Sequence, residues 1–440
     1  MNKYDIVIKN TTLLKPDFSL EKGVDIAILN GVFSNIVKTE TVVFEAEKII
    51  DGRSFVAMPG LTDGHIHTSQ QLLRGRLLDE KPVIWKRVNV PFESMLDEEC
   101  SSLSASLAAL EMISCGTTAF VDAGGKYPEI YAEVYSQAGL KGRLSVMTND
   151  NPFAPESLRC KSAEDGVKRL RQMKDNLKGT DILPIYSVTT PTAVSEKLLR
   201  LVCEASLEDE VPFETHLNEY ASEVTEFIER TGQRPFVWLN NNGYLDGQFM
   251  APHCIFLTPE EIGIIRDKDV RIAHCPFSNC GKGVPNTPQL LYEGIKVGFG
   301  SDGSAHGGLD LFKEMRLFRG VMNVGRGIGC ADSEVMSAEN LLKMATSGGA
   351  SCLFMSKVGS IEVGNKADMI LVDITGPGLF PTQNLVHSLV ESASGSDVDT
   401  VIVNGKILME KREFTTLDKE KIYDQARRLF EKYSWLNCWK

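Results

Sequence analysis

The chain has 440 residues, 42% of them apolar and 24% charged, with a formal net charge of −12 at pH 7. That apolar share excludes a disordered polymer, and the negative balance argues against nucleic acid or an anionic membrane as partner, since both favour basic patches. No charged-then-apolar leader and no apolar run of about 18 residues is evident, so a cytoplasmic protein with one large catalytic domain and an accessory domain is expected.

Residues 4–50, including "YDIVIKN" and "GVDIAILNGVFSNIV", alternate apolar and polar side chains around Asn-Gly and Asp-Gly turns, the pattern of antiparallel strands. Between Val56 and Gly300 the texture changes to short β-rich runs alternating with helical stretches. The runs are "SFVAMPGLTDGHIH", "TTAFVDA", "RLSVMT", "ILPIYSVT", "PFETHL", "QFMAPHC", "VRIAHCP" and "VGFGSD". Segments such as "DEECSSLSASLAALEMISCG", "SAEDGVKRLRQMKDNLKG", "SEKLLRLVCEASLED" and "TPEEIGIIRDKD" lie between them, with Ser, Thr or Asp at N-cap positions. This is the rhythm of an α/β fold, a TIM-like (β/α)8 barrel, with an open doubly wound sheet as the alternative.

Residues 358–412, including "GSIEVGNKADMILVDI" and "VDTVIVNGKILMEKREF", return to the alternating pattern. The expected organisation is therefore a small β-sandwich built from both termini (1–55 and 358–415) around a barrel at 56–357, closed by a C-terminal helix at 416–440. That helix packs or makes an oligomer contact. The cysteines number 10 and form no C-x-x-C pair, so neither a disulfide framework nor a zinc knuckle is suggested. Cys254 and Cys275, each next to a histidine, read as packing residues.

The polar residues fall at strand ends. His65 and His67, in "PGLTDGHIHTSQQLLRG", are spaced i, i+2, so on a strand both imidazoles share a face and can converge on one point. His216 ends the fifth run, His253 the sixth, His274 the seventh and Asp302 the eighth; only His306 and His387 stand elsewhere. In a parallel barrel these ends form one rim, where active sites sit. Imidazoles with a carboxylate suit a borderline-soft divalent ion such as zinc or iron, and His65, His67, His216 and Asp302 are the candidate ligands. Glu219, three residues after His216 in "ETHLNE", is placed to carry a proton, and His253 or Asp302 to take one from water. No Walker-type loop and no Gly-x-Ser-x-Gly elbow occurs.

With these residues in place, the chain resembles the amidohydrolase superfamily over nearly its whole length, specifically the branch of deaminases and dechlorinases of nitrogen heterocycles. The motifs "PGLTDGHIHTSQQLLRG", "HLNE", "HC" at His253, "HCPFSN", "GSDG" with "LDLFKEMRLF", and "VGSIEVGNKADMILVDI" occur in that order. The resemblance implies one divalent metal per chain, zinc with iron as the alternative, because the fourth run offers no bridging Lys or Glu. It also implies attack by a metal-bound hydroxide on a ring carbon bearing an amino group, Glu219 as proton shuttle, His253 beside the attacking oxygen, and loss of ammonia.

Relatives that deaminate S-adenosylhomocysteine or methylthioadenosine carry an acid just before the Trp corresponding to Trp85, and a His near the end of the fourth strand. Here Ile84 and Thr189 stand at those places, which counts against a nucleoside and for a small free purine, pterin, pyrimidine or triazine. Further pocket candidates are Trp85, Gln71, Thr189, His274, Asn279 and His306, the last either touching substrate or capping the helix that "LDLFKEMRLF" begins. Alternatives are the same site with chloride, alkylamine or a ring amide as the group displaced, and a non-catalytic scaffold. A homodimer is expected.

Overall fold

The computed structural model describes residues 3–81 and 83–437. Cys438 and the last residues of the expected terminal helix lie outside the described residues. The chain opens with β1 (Lys3–Leu14), β2 (Leu20–Leu29), β3 (Val32–Lys38), β4 (Glu45–Asp51) and β5 (Phe55–Pro59). β2 and β3 form the expected hairpin, and its two-residue turn holds Asn30 at φ 53° and Gly31 at φ 78°. Both values lie in the left-handed region that Asn-Gly turns supply at little steric cost.

The parallel strands are β6 (Leu61–His67), β7 (Thr117–Asp122), β8 (Lys141–Leu144), β9 (Ile182–Pro184), β10 (Tyr186–Ser187), β11 (Phe213–Glu214), β12 (Phe249–Pro252), β13 (Arg271–His274), β14 (Val297–Phe299) and β15 (Asp302–Gly303). They make two five-stranded sheets, β15-β6-β7-β8-β9 and β10-β11-β12-β13-β14. Only Ile185 separates β9 from β10, and only Gly300 and Ser301 separate β14 from β15. Each of these two interrupted segments therefore pairs with one sheet on one side and with the other sheet on the other: β9 with β8, β10 with β11, β14 with β13, β15 with β6. β6 and β7 are buried along their whole length, as parallel strands covered on both faces must be.

Helices lie between these strands where the sequence pattern puts them. Glu98–Ser114, Ala163–Asn176, Glu196–Asp209 and Pro259–Asp267 are capped by Asp97, Ser162, Ser195 and Thr258, each side chain accepting an N–H from the first turn. Such caps contribute about 1 kcal/mol each.

The last strands are β16 (Met369–Asp373), β17 (Val398–Val403), β18 (Lys406–Glu410) and β19 (Glu413–Phe414). They join β1 to β5 in one nine-stranded sheet, through antiparallel pairing of β16 with β5 from Met369↔Pro59 to Asp373↔Phe55. An apolar core of its own, including Ile8, Ile26, Ile28, Phe33, Ala57, Met369, Leu371 and Ile402, is fed from both ends of the chain. The terminal helix Lys419–Lys432 buries Ile422 and Leu429 in a cluster shared with Cys100, Leu103 and Leu110. It packs on this chain, as the sequence allowed.

Candidate functional site

His65 and His67 sit at the end of β6 with their ring centroids 4.7 Å apart. The strand spacing that the sequence shows is what brings them to one face. His216 follows β11, and its Nε2 lies 3.1 Å from His65 Nε2 and 3.2 Å from His67 Nε2. Asp302, in β15, places Oδ1 3.2 Å from His67 Nε2 and 3.8 Å from His65 Nε2. The four side chains offer atoms within 4.8 Å of one another.

Local structure holds each of these groups. The His216 Nδ1–H donates to the Thr189 carbonyl oxygen at 2.7 Å, which leaves Nε2 with its lone pair turned toward the other rings. Asp63, two residues before His65, accepts the Ser301 N–H at 2.9 Å and the Ser301 hydroxyl at 2.6 Å, tying β6 to the residue before Asp302. Gly300 is required here, because a Cβ would come 2.8 Å from His65 Cβ. Asp302 (φ 60°), His253 (φ 69°) and Asn218 (φ 53°) adopt left-handed backbone conformations at this rim. Such strain costs on the order of 1–3 kcal/mol per residue and concentrates at functional sites.

The electrostatics suit a cation. Burial and the neighbouring imidazoles hold His65 and His216 well below the usual histidine range, so both are neutral, the form in which a metal takes them. The ring nitrogens face one another at 3.1–3.2 Å, a separation that a shared proton or a cation between them accommodates. His65 Nδ1 and His67 Nδ1 have no hydrogen-bond partner among the described residues. Glu214, on β11 and 1% exposed, stands 3.7 Å from His65 Nδ1, and neither of its oxygens is hydrogen-bonded among the described residues.

Around this cluster lies a cavity lined by His67, Gln70, Ile84, Trp85, Asn89, Val90, Glu93, Met147, Thr189, Thr190, His216, Glu219, Tyr220, Lys282, Asp302 and His306. Glu219 is 7% exposed, and its Oε1 lies 3.7 Å from His253 Nε2 and 2.5 Å from Lys282 Nζ. Burial alone would raise the Glu219 carboxyl; the neighbouring His253 ring and the Lys282 ammonium outweigh that and hold it at about 2. Lys282 is in turn seated by a 2.6 Å hydrogen bond to Ser278 Oγ.

His253 is fully buried, and its Nδ1–H donates to Asn279 Oδ1 at 2.9 Å. Its Nε2 has no hydrogen-bond partner among the described residues and faces Glu219 and Asp302. The His274 Nδ1–H donates to the His253 backbone carbonyl at 2.8 Å. His274 and Asn279 therefore brace His253 and are not among the cavity-lining residues.

The remaining sequence candidates divide. Trp85, Thr189 and His306 line the cavity; Gln71 does not, because its amide donates to Glu111 Oε2 at 2.7 Å. The capping role considered for His306 belongs to Asp310, whose side chain accepts the Phe312 N–H at the start of the helix Leu311–Met322. Cys254 and Cys275 are fully buried, as packing residues are. Sequence reasoning missed Lys282, Tyr220, Gln70, Asn89 and Glu93. For Lys282 a signal existed, a cation flanked by glycines just past the rim histidine; for the others none stood out.

A family model described as the amidohydrolase family matches residues 56–408. A 5'-deoxyadenosine deaminase of Methanocaldococcus jannaschii is 33% identical over 425 residues, covering 95% of this chain and 99% of that protein. A 5-methylthioadenosine/S-adenosylhomocysteine deaminase of Dictyoglomus thermophilum is 37% identical, covering 87% and 89%. Among solved structures, an adenosine deaminase from Xanthomonas campestris with bound zinc superposes with a TM-score of 0.90 at 25% identity, covering 98% of this chain and 99% of that one. With its cluster of three histidines and an aspartate at the strand ends, this chain belongs to the amidohydrolase family.

Proposed function

We propose that this protein is a metal-dependent aminohydrolase that releases ammonia from an amino-substituted nitrogen heterocycle. The observation that carries the reading is the convergence of His65, His67, His216 and Asp302 on one point, with Glu219 and His253 beside it. These four residues would hold one divalent ion, zinc or iron, since neutral imidazoles with one carboxylate are a borderline-soft donor set. When bound, the ion supplies Lewis-acid chemistry and brings the pKa of water toward neutrality.

The chain's own groups do the proton work. His253 Nε2, unpartnered because Asn279 fixes the ring proton on Nδ1, accepts a hydrogen bond or proton from the attacking water. Glu219, ionised beside Lys282, carries one proton from the attacking water to the ring nitrogen and a second, from the added hydroxyl, to the departing amine, so that ammonia leaves and a carbonyl remains. Trp85, Ile84, Val90 and Met147 give the planar ring an apolar wall.

A second recess, lined by Leu77, Leu78, Phe277 and Cys280 among others, shares Ile84, Tyr220, Lys282 and His306 with the first. A substituent on the ring would extend there. Adenine nucleosides of the kind for which the relatives are named are therefore the first compounds to test, although Ile84 and Thr189 stand where the resemblance leads one to expect an acid and a histidine. The domains that serve this reading are a closed barrel reaching to residue 357, a β-sandwich from 1–55 and 358–415 that takes in the rest of β5 as well, and the helix that follows, in a cytoplasmic homodimer.

The test is ammonia release by protein of verified metal content against amino-purines, pterins, pyrimidines, triazines and adenine nucleosides. Release from one class, abolished by chelation and restored by zinc or iron, is expected. Silence from metal-replete protein across the whole panel would overturn the reading.

A further inference from the structure

The cavity has one wall that the proposed proton transfers do not use. Asn89 and Glu93 are i and i+4 on the continuous helical stretch formed by Trp85–Asn89 and Val90–Met95, so they project from the same face. Both line the cavity beside His67, at 5% and 4% exposure.

Glu93 is held from behind. Its Oε1 accepts the Ser69 hydroxyl at 2.9 Å and the Gln70 amide at 3.1 Å, both from the turn Thr68–Leu73 that follows β6. Gln70 is seated in turn against Gly303, where a Cβ would come 1.7 Å from its Oε1. Glu93 Oε2 makes no hydrogen bond among the described residues, and Asn89 Oδ1 is buried without a partner. Glu93 thus stands fixed at the cavity wall with one oxygen free among the described residues, and Asn89 stands beside it with its amide unpaired among them. A buried acceptor left unpaired is unfavourable, so a ligand that pairs it gains in binding.

We infer that Asn89 and Glu93 form an acceptor subsite that selects substrates presenting hydrogen-bond donors, N–H or O–H, in addition to the reacting amino group. This rests on the reading that the cavity binds the heterocycle. Ring amino groups and sugar hydroxyls share the required chemistry, and matched pairs of compounds separate them.

The experiment measures kcat/KM for ammonia release by metal-replete wild type, Glu93→Gln and Asn89→Leu on two pairs: adenine with 2,6-diaminopurine, and 2',3'-dideoxyadenosine with adenosine. The readout is the ratio within a pair, in which a general loss of activity or of folded protein cancels. Wild type is expected to favour the donor-rich member of one pair by roughly 10- to 100-fold. Both variants should shrink that ratio, Glu93→Gln to within about threefold of unity. The pair whose ratio collapses tells whether the subsite takes ring N–H or sugar O–H donors.

No preference in wild type, or a preference that both variants retain, overturns the inference while leaving the proposed reaction intact. If no compound is turned over, dissociation constants from calorimetry on the same proteins supply the same ratios. Failure of every compound to bind would overturn subsite and reaction together.

Discussion

Glu219 lies 3.7 Å from His253 and 2.5 Å from Lys282 but contributes no atom to the four-residue cluster. Glu219→Gln keeps the shape and removes the proton-carrying group. Metal content by elemental analysis should be unchanged while ammonia release falls by about 10²- to 10⁴-fold; near-normal turnover would end the shuttle assignment. Lys282→Met should weaken the same step, lowering kcat more than it changes KM. A loss confined to KM would instead make Lys282 a substrate contact. The histidines and Asp302 were legible because strand ends and i, i+2 spacing fix their direction before any tertiary structure is known. Lys282, Asn89 and Glu93 were not, because they reach the cavity through a loop and a helix whose approach to the rim no local pattern encodes.

At the scale of elements, the strands and capped helices were readable from alternation and from Ser, Thr and Asp at helix starts. The eight β-rich runs all contain strands, with edges displaced: "RLSVMT" begins within β8, which starts at Lys141. What could not be read was how one element leans on another. Glu314, on the helix Leu311–Met322, is 3% exposed and accepts the Phe277 N–H at 2.9 Å, pinning the segment just past His274. Burial pushes its carboxyl up to about 8. The folded protein thus keeps this proton to higher pH than the unfolded chain does, so the stability it confers is full below about pH 4 and is lost as pH rises through about 8. Glu314→Gln keeps an acceptor for the Phe277 N–H and removes the ionisation. Denaturant unfolding at pH 5 and pH 9 should show a smaller fall for the variant than for wild type, and equal falls would refute the assignment.

On the scale of the whole molecule, two contributions to stability are separable. A divalent ion that binds the folded site and not the unfolded chain stabilises by about 4 kcal/mol at a thousand times its Kd. Chelation should therefore lower Tm, and adding zinc or iron should restore it; an unchanged Tm would argue against occupancy of the cluster. Met369, fully buried in the core that both chain ends share, should cost about 2–5 kcal/mol when replaced by Ala. Denaturant melts would report that loss even in metal-free protein.

The pairing of β16 with β5 also bears on how the protein is made. During synthesis, β1 to β5 leave the ribosome some 300 residues before β16, at roughly 5–20 residues per second, so their edge waits about 15 to 60 s for its partner. Throughout that interval the apolar face of Ile8, Ile26 and Phe33 lacks the contribution of Met369 and Leu371. The nascent chain is then most exposed to wrong partners and most dependent on chaperones, and slow translation of the middle segment would lengthen the exposure without altering a single residue of the finished enzyme.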